Sequence, residues 1–132
     1  KNEAETKKWQ KIRMERSDSS RTYLRRVLEL TPEDADIAEQ YGLICALLSD
    51  YESATTAFTQ VTKLNPSDAG TWMSLGDCQL YLKRWTDAIG SYEKVIELEP
   101  NNRTVLEQLK MLYQKEKMTA KEAEMDARLK KL

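Results

Sequence analysis

Residues 69–102 read AGTWMSLGDCQLYLKRWTDAIGSYEKVIELEPNN, and the fold is decided there. Apolar residues recur at spacings of three and four through Leu82, lose phase at Lys83-Arg84-Trp85, and resume to Leu98. That pattern is two short amphipathic helices with a tight turn between them. Pro100 lacks a backbone N–H and pushes its predecessor out of the helical region, so the second helix must stop before it. Asn102, two residues on, is a residue type whose side chain accepts from free N–H groups and opens the next helix. Gly76 and Ala88 are small enough for the two helices to approach closely, and the Tyr92 ring fills the adjoining gap. The unit is a helical hairpin.

Working outward, a shift of 34 residues brings the rest of the chain into register with this stretch. Pro32, Pro66 and Pro100 coincide, preceded by Leu30, Leu64 and Leu98, by Val27, Val61 and Val95, and by Leu24, Phe58 and Tyr92. Asp34, Asp68 and Asn102 coincide just after the prolines, and Gly42, Tyr51 and Ala54 match Gly76, Trp85 and Ala88. Helices are expected at 3–15, 19–30, 35–48, 52–64, 69–82, 86–98, 103–117 and 120–131. Asp50 is a plausible cap for the fourth, and a Thr119-x-x-Glu122 capping box would start the last.

With four glycines, three prolines and 40% apolar residues in 132, the composition agrees with an all-α domain. No apolar run approaches the roughly 18 residues of a membrane-spanning helix. Cys45 and Cys78 match no metal spacing, no histidine exists to complete a site, and both cysteines read as small core residues. The compartment is left open, with the cytoplasm favoured slightly. A chain that starts at Lys1 rather than Met is what a piece of a longer protein would show.

These positions resemble the tetratricopeptide repeat. The family pattern Trp-x2-Leu-Gly-x2-Tyr, Ala-x3-Phe, Pro is met by Trp72, Leu75, Gly76, Ala88, Tyr92 and Pro100, with Gln79 in place of its first tyrosine. Residues 35–68 keep Gly42, Ala54, Phe58 and Pro66 but place Ala38, Tyr41 and Cys45 at the other positions. Residues 1–34 and 103–132 are degenerate, as terminal units facing water are expected to be. The resemblance implies a single α-α superhelix of four units, 1–34, 35–68, 69–102 and 103–132.

It also implies where a partner binds. In this family the first helix of each unit lines a concave groove. Carried across, its positions hold Asp36, Glu39, Gln40, Leu43, Ala46 and Leu47, then Gly70, Met73, Ser74, Asp77, Leu80 and Tyr81, then Thr104, Glu107, Gln108, Met111, Gln114 and Lys115. Asp36, Glu39, Gln40, Leu43, Met73, Asp77, Tyr81, Glu107, Gln108 and Met111 are the candidate binding residues. The carboxylate clamp by which relatives hold the C-termini of heat-shock chaperones needs Lys, Asn and Arg where this chain has Glu39, Leu43, Ser74, Thr104 and Gln108. A chaperone tail is therefore not an expected ligand. An apolar segment with Lys or Arg at its rim suits the acidic lining, although Leu43, Leu47 and Leu80 would equally suit a core.

The function expected is a scaffold or adaptor for a protein or peptide partner, acting as a monomer. The alternative is an assembly module of a larger complex that uses its ends or convex face. Catalysis lacks its usual candidates, since no histidine, phosphate loop or cysteine–base pair is present, and no cofactor or small-molecule substrate is called for. Net charge is −1, but the segments 1–30, 31–68, 69–102 and 103–132 carry +4, −6, −2 and +3. The basic first segment alternates with acids and reads as a solvated cap helix rather than a nucleic-acid surface. Met125, Leu129 and Leu132 form a stripe expected to pack on the preceding helix.

Overall fold

A computed structural model describes residues 2–132. The described residues form seven α-helices: α1 (Glu3–Leu30), α2 (Ala35–Leu47), α3 (Tyr51–Leu64), α4 (Ala69–Tyr81), α5 (Trp85–Leu98), α6 (Arg103–Lys115) and α7 (Thr119–Lys130). They fall into two compact units, residues 1–64 with α1–α3 and residues 65–132 with α4–α7.

The boundaries after the prolines arise as the residue types demand. Asp34 Oδ1 accepts from the Ile37 amide at 3.1 Å, Asp68 Oδ1 from Gly70 at 3.0 Å, and Asn102 Oδ1 from Val105 at 3.2 Å. Each bond satisfies an amide that the first helical turn leaves without a carbonyl. Proline carbonyls at the same turns are also taken, Pro32 by the Gln60 amide, Pro66 by the Trp72 indole at 2.9 Å and Pro100 by Arg128 at 2.7 Å.

The inner turns repeat with the same period. Ser49, Lys83 and Lys117 all take positive φ, 61°, 58° and 58°. In the first turn the Asp50 amide reaches the Cys45 carbonyl and the Ser49 amide the Ala46 carbonyl, and the next two turns repeat both bonds. This is the Schellman arrangement, ordinarily closed by glycine. Asp50 caps α3 through the Ser53 amide at 3.2 Å, as expected. The capping box does not form: Thr119 lies inside α7, and the residue before the helix is Met118, with no side-chain cap. The Schellman turn from α6 sets the start of α7 one residue earlier than the box requires.

Residues 3–30 are one helix where two were expected, 3–15 and 19–30. Glu15, in register with Ser49, stays helical. No glycine or proline stands between Met14 and Ser20, and Ser19 and Thr22 turn their hydroxyls onto the Glu15 and Asp18 carbonyls within the helix. At about 1.5 Å per residue, α1 is about 42 Å long and α2 about 20 Å, so the first half of α1 runs on past the helix it packs against.

In the first unit, Phe58, Val61, Ala54 and Cys45 are buried, and an alanine Cβ at Gly42 would sit 2.8 Å from the Phe58 ring. In the second, Tyr92, Val95, Leu106, Leu109, Leu112 and Tyr113 form one core, to which α7 adds buried Met125 and half-buried Leu129. The stripe on α7 packs inward as expected except for Leu132, which is exposed. Tyr113 donates to Glu93 at 2.6 Å and Lys110 to Asp126 at 2.6 Å, fastening α6 to its neighbours.

Candidate protein-binding faces

These helices leave apolar side chains in water unevenly. Among the described residues, α3 and α5, the second helices of their hairpins, expose only their last large apolar residue, Leu64 and Leu98. The first helices also expose their last residues, Leu47 at 66% and Tyr81 at 68%, but differ in mid-length, where Leu43 is 51% exposed and Met111 53%. Leu43 and Met111 share one repeat position, and Leu47 and Tyr81 another. The core reading of Leu43 and Leu47 is thereby corrected: α2 points them away from α3, whose packing it meets with Gly42, Cys45 and Ala38.

In the first unit, α1 and α2 enclose a cleft of about 630 Å³ lined by Ser19, Ser20, Tyr23, Leu24, Gln40, Leu43 and Ile44. Of the candidate binding residues, Gln40 and Leu43 line it. Ser19, Ser20 and Tyr23 were missed, because the register that reads residues 1–34 as a degenerate hairpin assigns them no binding position. The signal was the short Ser19-Ser20 pair beside an aromatic, with small side chains flooring a cleft. Asp36 is exposed and Glu39 half-buried, and neither lines the cleft.

In the second unit, Asp77, Leu80, Tyr81 and Gln108 line a cleft of about 450 Å³ between α4 and α6. Asp77 has a second task that the pattern did not reveal, since its carboxylate accepts from the hydroxyl of fully buried Tyr92. Burial first, and this carboxylate next, push the Tyr92 phenol far above its ordinary pKa. Gln108 Oε1 is buried and has no hydrogen-bond partner among the described residues, an arrangement that costs roughly 1–3 kcal/mol. Met73 is half-buried against the core, Glu107 is exposed and lies 3.9 Å from Arg103, and the Lys115 ammonium sits 4.6 Å over the Trp85 ring. The chemistry available is therefore apolar contact and hydrogen bonding. Cys45 and Cys78 are buried free thiols whose pKa burial raises, to about 11 for Cys78.

Capped helix pairs, glycine–ring contacts and identical turns at 34-residue spacing define the class of protein as a tetratricopeptide-repeat solenoid. Residues 17–95, more than half of the sequence, match the family described as anaphase-promoting complex, cyclosome, subunit 3, and the chain belongs to that family. Among solved structures it is similar to MamA AMB-1 (TM-score 0.80, 23% identity, covering 87% of this chain and 63% of that one). It is also similar to a MamA RS-1 double mutant (0.78, 18%, 91% and 67%) and to MamA MSR-1 (0.73, 22%, 91% and 67%). The chain spans about two thirds of the length of these proteins, and at such identities the likeness carries the fold alone. No curated protein sequence matches it at a significant level. No helix of the described residues is long and apolar enough to cross a membrane.

Proposed function

We propose that this chain is a non-catalytic protein-interaction scaffold whose first-helix faces hold an extended or helical segment of a partner protein. The observation that carries the reading is the asymmetry of mid-helix exposure: Leu43 and Met111 stand in water in the body of first helices, with Leu47 and Tyr81 exposed at the ends of α2 and α4, while α3 and α5 keep every large apolar residue covered except their terminal Leu64 and Leu98. Exposed apolar residues that recur at fixed repeat positions and rim clefts are the kind of patch that partners cover. Each unit brings its own cleft, and membership of a repeat family built for protein contact supports the same reading.

Within the second unit, Tyr81 supplies a rigid aromatic contact and Met111 an adaptable one. Asp77 is a poor choice for mutation, because it also holds the core tyrosine. Heat-shock chaperone tails are excluded from this reading, since the lining offers no cluster of Lys, Arg and Asn for a terminal carboxylate.

The experiment places a photo-crosslinking residue singly at Leu43, Tyr81, Thr56 or Asp87 and exposes the whole chain to native cell extract. Crosslinks from positions 43 and 81, weakened for position 43 when Gln40→Ala is added and for position 81 when Met111→Ala is added, are the result expected. Crosslinks from positions 56 and 87 alone would transfer the function to the opposite face, as in an assembly module.

A further inference from the structure

The first half of α1 holds cations that no acidic side chain of the described residues pairs, although Glu5 and Glu15 stand among them. Lys8, Lys11, Arg13 and Arg16 make no ion pair among the described residues, whereas Lys7 is held by Glu3 at 2.8 Å and Arg21 by Asp18 at 2.6 Å and Asp50 at 3.3 Å. Between these cations stands Trp9, 63% exposed, in a stretch of α1 beyond the reach of α2. Trp9, Ile12, Arg13, Arg16, Ser17 and Ser20 line a second cleft of about 320 Å³. Ser20 also lines the larger cleft of Tyr23, Leu43 and Ile44, so the two adjoin within one unit. The result is a continuous face with an apolar middle and two unpaired guanidinium groups at one end.

We infer that the segment bound by the first unit is an acidic one: apolar side chains enter the Tyr23–Leu43–Ile44 cleft, and Asp or Glu residues at one end meet Arg13 and Arg16 beside Trp9. This rests on the reading of the first-helix faces as binding faces and adds the sign of the partner's charge. It reverses, for this unit, the basic partner that the acidic residues of α2 suggest. Asp36 lies in the first turn of α2, about two turns before the Leu43 and Ile44 that share the cleft with Ser20, and neither Asp36 nor Glu39 lines either cleft. Arginine suits the task because its planar fork takes a carboxylate in two parallel hydrogen bonds while its face stacks on an indole. Glu5, one turn before Trp9 on the same stripe, marks where the acidic segment must end. A lipid surface fits less well: Trp9 and Ile12 share their face with Arg13 and Arg16, and Met14 points to the other side of the helix, so no wide apolar stripe exists to enter a bilayer.

The test is selection of a random 16-residue peptide display library on the whole chain, followed by affinity measurement of the enriched peptides on wild type, Leu43→Ser and R13E/R16E. The inference expects enriched peptides that combine Leu, Ile or Phe with Asp or Glu. Their affinity should fall with added salt, drop for Leu43→Ser, and drop roughly tenfold or more for R13E/R16E, and selection on R13E/R16E should instead yield basic peptides. Both arginines are exposed and unpaired, so the double variant keeps its fold. Peptides that need Leu43 but bind R13E/R16E equally would overturn the acidic partner and leave the binding face standing. Peptides insensitive to both changes, or no enrichment at all, would count against the face itself. Sedimentation with phosphatidylserine vesicles that persists in Leu43→Ser and is lost in R13E/R16E would assign the basic end to lipid and overturn the inference.

Discussion

Replacing Gly76 with alanine adds one methyl group, and the structure says what it meets: Tyr92 Cε1 at 2.8 Å, with Cδ1 and Cζ at 3.0 Å. Carbon atoms in contact settle at about 3.5–4.0 Å, so the ring must retreat by roughly 0.7 Å or more. It has little room to do so, being fully buried with its hydroxyl held by Asp77. Overpacking of this kind costs about 1–3 kcal/mol. The same substitution also gains about 1 kcal/mol because alanine is the better helix former. Gly90, in mid-α5, isolates that second term, since a Cβ there meets nothing within 4 Å. Gly90→Ala should therefore stabilise by up to about 1 kcal/mol, and Gly76→Ala should lie roughly 2 kcal/mol below it. Urea denaturation of both variants, followed by circular dichroism, measures the gap in one background. Tyr92→Leu removes the clashing ring atoms, so adding Gly76→Ala to that variant should cost much less. If Gly76→Ala raised the midpoint as far as Gly90→Ala does, the close approach of α4 and α5 would be wrong.

Other consequences can be measured in the same way. Ser49→Gly, Lys83→Gly and Lys117→Gly relieve a left-handed conformation and should each stabilise by about 0.5–1 kcal/mol, read as a rise in urea midpoint. Gln108→Leu removes a buried acceptor that has no partner and should raise stability by about 1 kcal/mol while weakening partner binding; a loss of stability would show that the amide is satisfied. Hydrogen bonds from Lys110 and then Lys130 lower the Asp126 pKa from its ordinary 3.8 to about 2. Because the folded value is the lower one, the stabilisation is present above about pH 4 and fades as pH falls through 2. Protection of α7 amides relative to their intrinsic exchange should fall over that range, and Asp126→Asn should abolish the acid-dependent part. Cys45 and Cys78 are buried, and the Cys78 thiol is pushed up to about 11, so a disulfide reagent at pH 8 should label them only as the chain unfolds.

Much of this protein follows from local chemistry that any reader of the chain can apply. Pro32, Pro66 and Pro100 cannot continue a helix, and Asp34, Asp68 and Asn102 cap the next, so six helix boundaries stand within a residue or two of expectation. Gly42 and Gly76 face Phe58 and Tyr92 because only a residue without Cβ admits a ring so close. The period of 34 residues and the all-α class came from this one-dimensional pattern, whereas Leu43, Tyr81 and Met111 were singled out only through the family resemblance that the pattern carries. What tertiary structure alone decided is where packing overrides it. Ser49, Lys83 and Lys117 bear no mark of a left-handed residue; each adopts it because the following helix gains more by folding back on its partner than the strained turn costs. Glu15 stands at the matching position but has no such return contact in its unit, so α1 runs straight through. Likewise Asp77 became the acceptor of a buried tyrosine, and Ser19, Ser20 and Tyr23 the wall of a cleft, through neighbours brought close by folding rather than by sequence spacing.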